Sequence, residues 1–206
     1  MNYLGHVAVG LALGRTEAHF ALGAALPDLA SMVGVRFDRT RLDGALAEGV
    51  TCHLAADAVF HDHHAFRAGA AALRRDLGAA GFPTGARRAI GHAGWELLLD
   101  GTLVGTAAEA GHRRGIAVGA AALDALRPED RKRWAALLAR GAPPTLRYDD
   151  PSWVAERLVA MLARRPRLAI PADRIHLLDD ILASHVASVR SVAADVLSDV
   201  AAAVAA

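Results

Sequence analysis

With 206 residues, 23 Lys and Arg against 22 Asp and Glu, and a net charge of +1, the chain is long enough for a self-sufficient core and carries no global field to draw nucleic acid or an anionic membrane. The hydrophobic share is 53% while aromatic residues make up only 5%, so Ala, Leu and Val dominate, which disfavours a sandwich of β-branched and aromatic strands and predicts an all-α protein. Lys132 is the only lysine and Cys52 the only cysteine, which excludes an intrachain disulfide, leaves no lysine for a phosphate-binding loop, and points to a cytoplasmic location.

Leu4, Val7 and Leu11 share one face of a first helix that ends near Gly14. No basic stretch precedes this apolar run, His6 interrupts it and Arg15 to Glu17 follow it, so it does not read as a signal peptide. A second helix is predicted over 17–33, kinked or broken just before Asp28 by Pro27. The polar stretch 38–43 reads as a loop, followed by helices over 43–62 and 64–79. Gly81, Pro83 and Gly85 punctuate the next turn, and helices over 84–103 and 105–126 come after it. Pro128, with Glu129 and Asp130 in the first turn, starts a helix that ends near Gly141. Pro143, Pro144 and Pro151 mark the clearest loop, 142–151. Only two helices, 152–164 and 172–204, remain beyond it, too little for an independent core, so one domain spanning 1–206 is expected, a bundle of about eight to nine helices. No segment reaches the roughly 18 uninterrupted apolar residues of a membrane span, despite a mean hydropathy of +0.24, so no transmembrane segment is expected.

Two of these helices carry the chemistry. The third reads His53-Leu-Ala-Ala-Asp57-Ala-Val-Phe-His61, and each step of four advances about 6 Å while rotating only about 40°, so the three side chains project from one stripe. The fifth repeats the device as His92-Ala-Gly-Trp-Glu96-Leu-Leu-Leu-Asp100. One His-x-x-x-Asp pair is more often an ion pair or a hydrogen-bonded core histidine than a ligand pair. Two such pairs with apolar flanks are different, because burying several ionisable groups without a cation costs several kcal/mol per charge. The pattern therefore predicts a metal site inside a helical bundle, with His6 and Asp28 as further candidates from the first two helices. Asp62, His63 and His64 end the third helix and read either as a solvated cap or as a further ligand. His19, His112, His176 and His185 lack a matching pattern and read as structural or surface residues. No G-x-S-x-G elbow or Gly-rich phosphate loop is present, and Cys52 points about 100° away from His53 on the helix, so it reads as packing material and not a nucleophile.

The opening Met-Asn-Tyr-Leu-Gly-His6, the Leu-Pro-Asp28 segment, the His53/Asp57 helix and the run Met161-Leu-Ala-Arg-Arg-Pro-Arg-Leu168 together resemble the acyl carrier protein phosphodiesterases. The order and approximate spacing of these pieces agree over most of the chain, less so over 104–142. The resemblance implies an all-helical, metal-dependent phosphodiesterase, distantly related to the HD-type phosphohydrolases, that removes the phosphopantetheine arm from a carrier-protein serine. It carries over directly for His6, Asp28, His53 and Asp57. That family commonly places an aspartate at the position of His61 and carboxylates at those of His92 and Glu96. The greater imidazole content here is similar to the helical zinc-dependent phospholipase C family, an alternative that implies a lipid or other phosphodiester; a silent metal-binding relative is a third reading. His6, Asp28, His53, Asp57, His61, His92 and Glu96 are then the expected ligands of one or two divalent transition ions, Zn, Mn or Fe. Asp57 or Asp100 is the expected general base if it is not a ligand. Arg164, Arg165 and Arg167 are candidates for holding phosphate, although cations before Pro166 also suit a helix C-terminus. The expected partner is an acyl carrier protein, drawn to one of the clusters Arg87/Arg88, Arg113/Arg114, Arg131/Lys132/Arg133 or Arg164/Arg165/Arg167.

Overall fold

A computed structural model describes residues 1–140, 147–163 and 165–206. Nine α-helices account for most of them, with three short 3-10 turns and no strand among the described residues; Phe37 and Leu126 form a lone antiparallel bridge. In chain order the helices are α1 Tyr3–Ala12, α2 Ala18–Val33, α3 Gly44–Asp62, α4 His64–Ala79, α5 Thr84–Gly101, α6 Ala107–Ala117, α7 Pro128–Ala139, α8 Pro151–Leu162 and α9 Ile175–Ala205. They belong to two compact units, Met1–Val59 with Leu103–Leu146 and Leu197–Ala206, and Phe60–Thr102 with Arg147–Val196. Neither unit is a contiguous stretch of chain.

In the first unit α1, α2 and α6 pack on one another. The expected face of α1 is buried at Leu4 and Val7, and Gly14, at φ +78, sits just past the helix end. Gly34 ends α2 at φ +65, with Val35 donating back to the Ala30 carbonyl, the arrangement that a left-handed C-terminal glycine permits. Of the kink or break expected at Pro27, the break does not occur: α2 runs through it without interruption. Leu22, Ala24, Ala25 and Leu26 before the proline and Leu29 and Ala30 after it are all buried, and that packing offsets the cost of the lost hydrogen bond. The helix expected over 105–126 is instead α6 followed by a 3-10 turn over Gly119–Ala125. The Trp134 indole donates to the Gly119 carbonyl at 2.9 Å and Leu138 fills the space beside Gly119, so this tertiary contact competes with the next α-helical turn.

The close crossing of α2 and α3 positions the site. A Cβ on Gly23 would stand 2.2 Å from the Leu46 carbonyl oxygen, and one on Gly49 would stand 2.3 Å from that of Phe20. Two glycines thus let the helix backbones touch, and the next turns of each, Ala24 to Asp28 and His53 to Asp57, are brought side by side.

The second unit contains the end of α3, α4, α5, α8 and most of α9, with α5 packed on both α4 and α8. Phe60, Phe66 and Trp95 form its aromatic core, with centroids 4.5–5.9 Å apart. His63 caps α4 by accepting from the Ala65 N–H, and Asp150 caps α8 by accepting from that of Ser152. In α9 the residues Leu178, Leu182, Val189, Val196 and Val200 are buried at four- and seven-residue intervals, the stripe of an amphipathic helix. By length and apolarity alone, with an 18-residue window of mean hydropathy 1.2, this helix would also be enough to cross a bilayer.

Candidate metal centre

His6 on α1, Asp28 on α2 and His53 on α3 converge in the first unit, with ligand atoms all within 4.8 Å of one another. Both rings are buried, at 1% and 4% exposure, and they stack at 3.7 Å between centroids. Nε2 of His6 lies 3.2 Å from the Met1 carbonyl and 3.8 Å from a carboxylate oxygen of each of Asp28 and Asp57. Asp57, one turn beyond His53 and half-buried, also accepts from the Met1 amino group at 3.2 Å.

His53 carries the clearest chemical signature. Its Nδ1 is 2.7 Å from the Ala24 carbonyl oxygen. A carbonyl only accepts, so Nδ1 holds the proton and the neutral ring keeps its lone pair on Nε2. A histidine whose second nitrogen is fixed this way by a backbone carbonyl is oriented as metal-binding histidines are. The Gly23/Gly49 contact is what brings that carbonyl within reach.

The second unit holds another triad, His61 from the end of α3 with His92 and Glu96 from α5. Nε2 of His61 is 3.2 Å and Nε2 of His92 3.3 Å from the same Glu96 oxygen, and the two rings stack at 4.9 Å. Phe66 stands edge-on to both rings and braces the pair. Burial pushes the Glu96 carboxyl up, but the hydrogen bonds from His61 and His92 outweigh it and hold the group well below the usual carboxylate range, hence ionised. His92 is exposed and His61 half-buried, so this triad is open to solvent.

Ligand atoms bound to one ion at about 2.0–2.2 Å lie roughly 3–4 Å apart, and both triads come close to that spacing. Two imidazoles and a carboxylate in each, with one tautomer already set, fit a divalent transition ion. Of the seven residues expected as ligands, six fall in the two triads and Asp57 lies beside the first. Asp100 is fully buried one turn beyond Glu96 and belongs to neither triad. His63 and His64 stack on each other and Asp62 is exposed; none of the three joins a triad. Arg165 and Arg167 are exposed, while Arg164 lies outside the described residues. Cys52 is buried, and burial pushes its thiol up, which suits packing and not nucleophilic attack.

Sequence reasoning missed five residues near these groups. The Ala24 carbonyl is invisible to any side-chain pattern. Gly23 and Gly49 have no side chain to mark them, and only their contact shows what they do. Arg67 and Arg74, on α4, line a cleft of about 560 Å³ together with His61, Phe66, Ala68, Ala70, Ala71 and His92. Their seven-residue spacing was the available signal, with nothing in the sequence to link it to His92.

Compared with protein-family models, with curated proteins and with solved structures, the chain matches none.

Proposed function

We propose that this protein is a metal-dependent phosphodiesterase, with the HD-phosphohydrolase or phospholipase C type of helical fold and Zn, Mn or Fe as its ion. The observation that carries the reading is the convergence of His6, Asp28 and His53, whose ligand atoms lie within 4.8 Å of one another, with the His53 ring fixed through Nδ1 by the Ala24 carbonyl. His6, Asp28 and His53 would hold one ion, and His61, His92 and Glu96 a second. When bound, such an ion lowers the pKa of its water towards about 7 and neutralises charge on phosphoryl oxygens. The protein's own residues do the rest. Ala24 fixes the His53 tautomer, Phe66 holds the His61 and His92 rings, and the ionised Glu96 offers its charge between them. Asp57, a half-buried carboxylate next to the first triad, is placed to accept the proton of an attacking water.

The substrate class proposed is the phosphopantetheine-serine diester of a holo acyl carrier protein, which rests on the resemblance of the His6, Asp28 and His53/Asp57 segments. Charge distribution supports a docking place on the second unit. Arg113 pairs with Glu109, Arg133 with Asp130 and Arg131 with Asp124, which spends those cations within the protein. The backbone of Arg167, by contrast, packs directly on Gly85, so the turn with exposed Arg165 and Arg167 meets the start of α5, which carries Arg87 and Arg88. An acidic helical carrier would dock there. The test compares metal-loaded protein on a holo carrier protein, a small aryl diester and a short-chain phospholipid. Release of phosphopantetheine is the expected result. Cleavage of the phospholipid alone would move the lipid diester ahead, and cleavage of none would overturn the reading.

A further inference from the structure

The cleft above the second triad has an unusual wall. Arg67, Ala70, Ala71 and Arg74 occupy positions i, i+3, i+4 and i+7 of α4, a single stripe of the helix, and all four line the cleft. Two arginines therefore bracket two alanines, whose small side chains leave the volume open. His61 and His92 line the same cleft. Some arginines here are engaged by a carboxylate, as Arg113, Arg131, Arg133 and Arg147 are. Neither Arg67 nor Arg74 has an ion-pair partner among the described residues. Arg74 is also guided: a Cβ on Gly91 would stand 2.3 Å from its Cγ, so its stem lies across the bare backbone of α5 at the residue before His92. A glycine there gives the guanidinium a fixed path to the cleft.

We propose that Arg67 and Arg74 are the phosphate-holding residues of this site, gripping the non-bridging oxygens of a phosphate ester in the cleft beside His61 and His92. Guanidinium groups suit this task because their forked N–H donors match paired phosphoryl oxygens. The cleft exceeds what one phosphate group needs, and Phe66, Ala68 and Ala71 give the remainder an apolar lining for the ester's organic arm. The identity of the ester rests on the phosphodiesterase reading, whereas the anion site rests on the geometry alone.

The experiment separates the two. Inorganic phosphate is titrated calorimetrically into the full-length protein after chelator treatment, so that no metal contributes, and then into Arg67→Gln, Arg74→Gln and Arg75→Gln. Arg75 is exposed on the same helix and does not line the cleft. The expected result is phosphate binding in the parent, weakened roughly tenfold or more by either cleft substitution and changed less than twofold by Arg75→Gln. No phosphate binding in the parent, or equal binding in all four proteins, overturns the proposal. The same four proteins are then loaded with metal and assayed on an aryl diester. Arginine-dependent phosphate binding with no diester cleavage under any metal would keep the anion site and remove the phosphodiesterase reading.

Discussion

Replacing Gly49 by Ala should destabilise the protein, although helix propensity predicts the opposite. Alanine in a helix interior is favoured over glycine by about 1 kcal/mol. At Gly49, however, the new Cβ would stand 2.3 Å from the Phe20 carbonyl oxygen, 2.8 Å from the Ala24 nitrogen and 2.9 Å from the Gly23 Cα. Carbon and carbonyl oxygen normally approach to about 3.3 Å, so α2 and α3 must part by roughly 1 Å. That movement stretches the His53 to Ala24 hydrogen bond, now 2.7 Å, beyond the range of about 3.2 Å in which it counts. Overpacking costs about 1–3 kcal/mol and the lost buried bond about 1 kcal/mol more, so the net loss after the propensity gain is about 1–3 kcal/mol. For a chain of this size the midpoint should fall by about 3–10 °C. Gly94 is the control, since its nearest neighbours, at 3.4 Å, are in ordinary contact range and alanine there should be neutral or stabilising. Thermal melts of the parent and the two variants measure the difference, and metal titration of Gly49→Ala should show affinity weakened by roughly 10- to 100-fold as His53 loses its support. A midpoint for Gly49→Ala equal to or above the parent's would refute the close-crossing account.

His53→Ala and Asp57→Ala should each remove metal-dependent diester cleavage, while Cys52→Ala and His112→Gln should retain it; loss on Cys52→Ala would indicate a thiol mechanism instead. Acid should destabilise the fold through His112, which packs against Tyr3 and is enclosed in the first unit. Burial, aided by Arg113 and opposed by Glu109, pushes its imidazole from 6.5 down to about 4, so between those pH values the unfolded chain takes up a proton that the folded chain refuses. Stability that is full above pH 6.5 is therefore lost as the pH falls towards 4, by up to about 3 kcal/mol, and melts of His112→Gln across this window should show a shallower slope than the parent. An unchanged slope would assign the acid sensitivity to other groups. Cleavage of a holo carrier protein should slow as salt rises, with screening over about 10 Å at 0.1 M, while cleavage of a small diester should change less; Arg88→Gln with Arg167→Gln should flatten the dependence on the carrier.

The helices were legible because their signals are local. Gly34, Pro128 and Pro151 sit at helix boundaries where their backbone chemistry places them, and all but two of the boundaries expected along the chain, the end at 126 and the start at 172, fall within about two residues of the observed ones, inside the usual fraying of helix ends. Pro27 and the 105–126 segment went the other way because packing decided them: buried apolar residues kept α2 whole, and Trp134 captured the Gly119 carbonyl. The histidines and carboxylates on α3 and α5 were legible because i, i+4 spacing survives from sequence to helix surface. Their grouping was not. The sequence stripe joins His53, Asp57 and His61, whereas the triads draw Asp28 from α2 and His6 from α1 to one and Glu96 from α5 to the other. Which helix faces which is a property of the α2/α3 crossing, and that depends on Gly23 and Gly49, residues without a side chain to announce it. The partner of His185 is Asp76, 109 positions away, and equally beyond local reasoning.

Metal dependence of turnover tests the central claim most directly. Chelator-stripped protein is titrated with Zn, Mn or Fe(II), and bound metal per chain and hydrolysis of an aryl phosphodiester are followed in the same sample. The account predicts no hydrolysis in the stripped protein and a rise that saturates at one or two ions per chain. Full hydrolysis in the metal-free protein, or none at any metal occupancy, would contradict it.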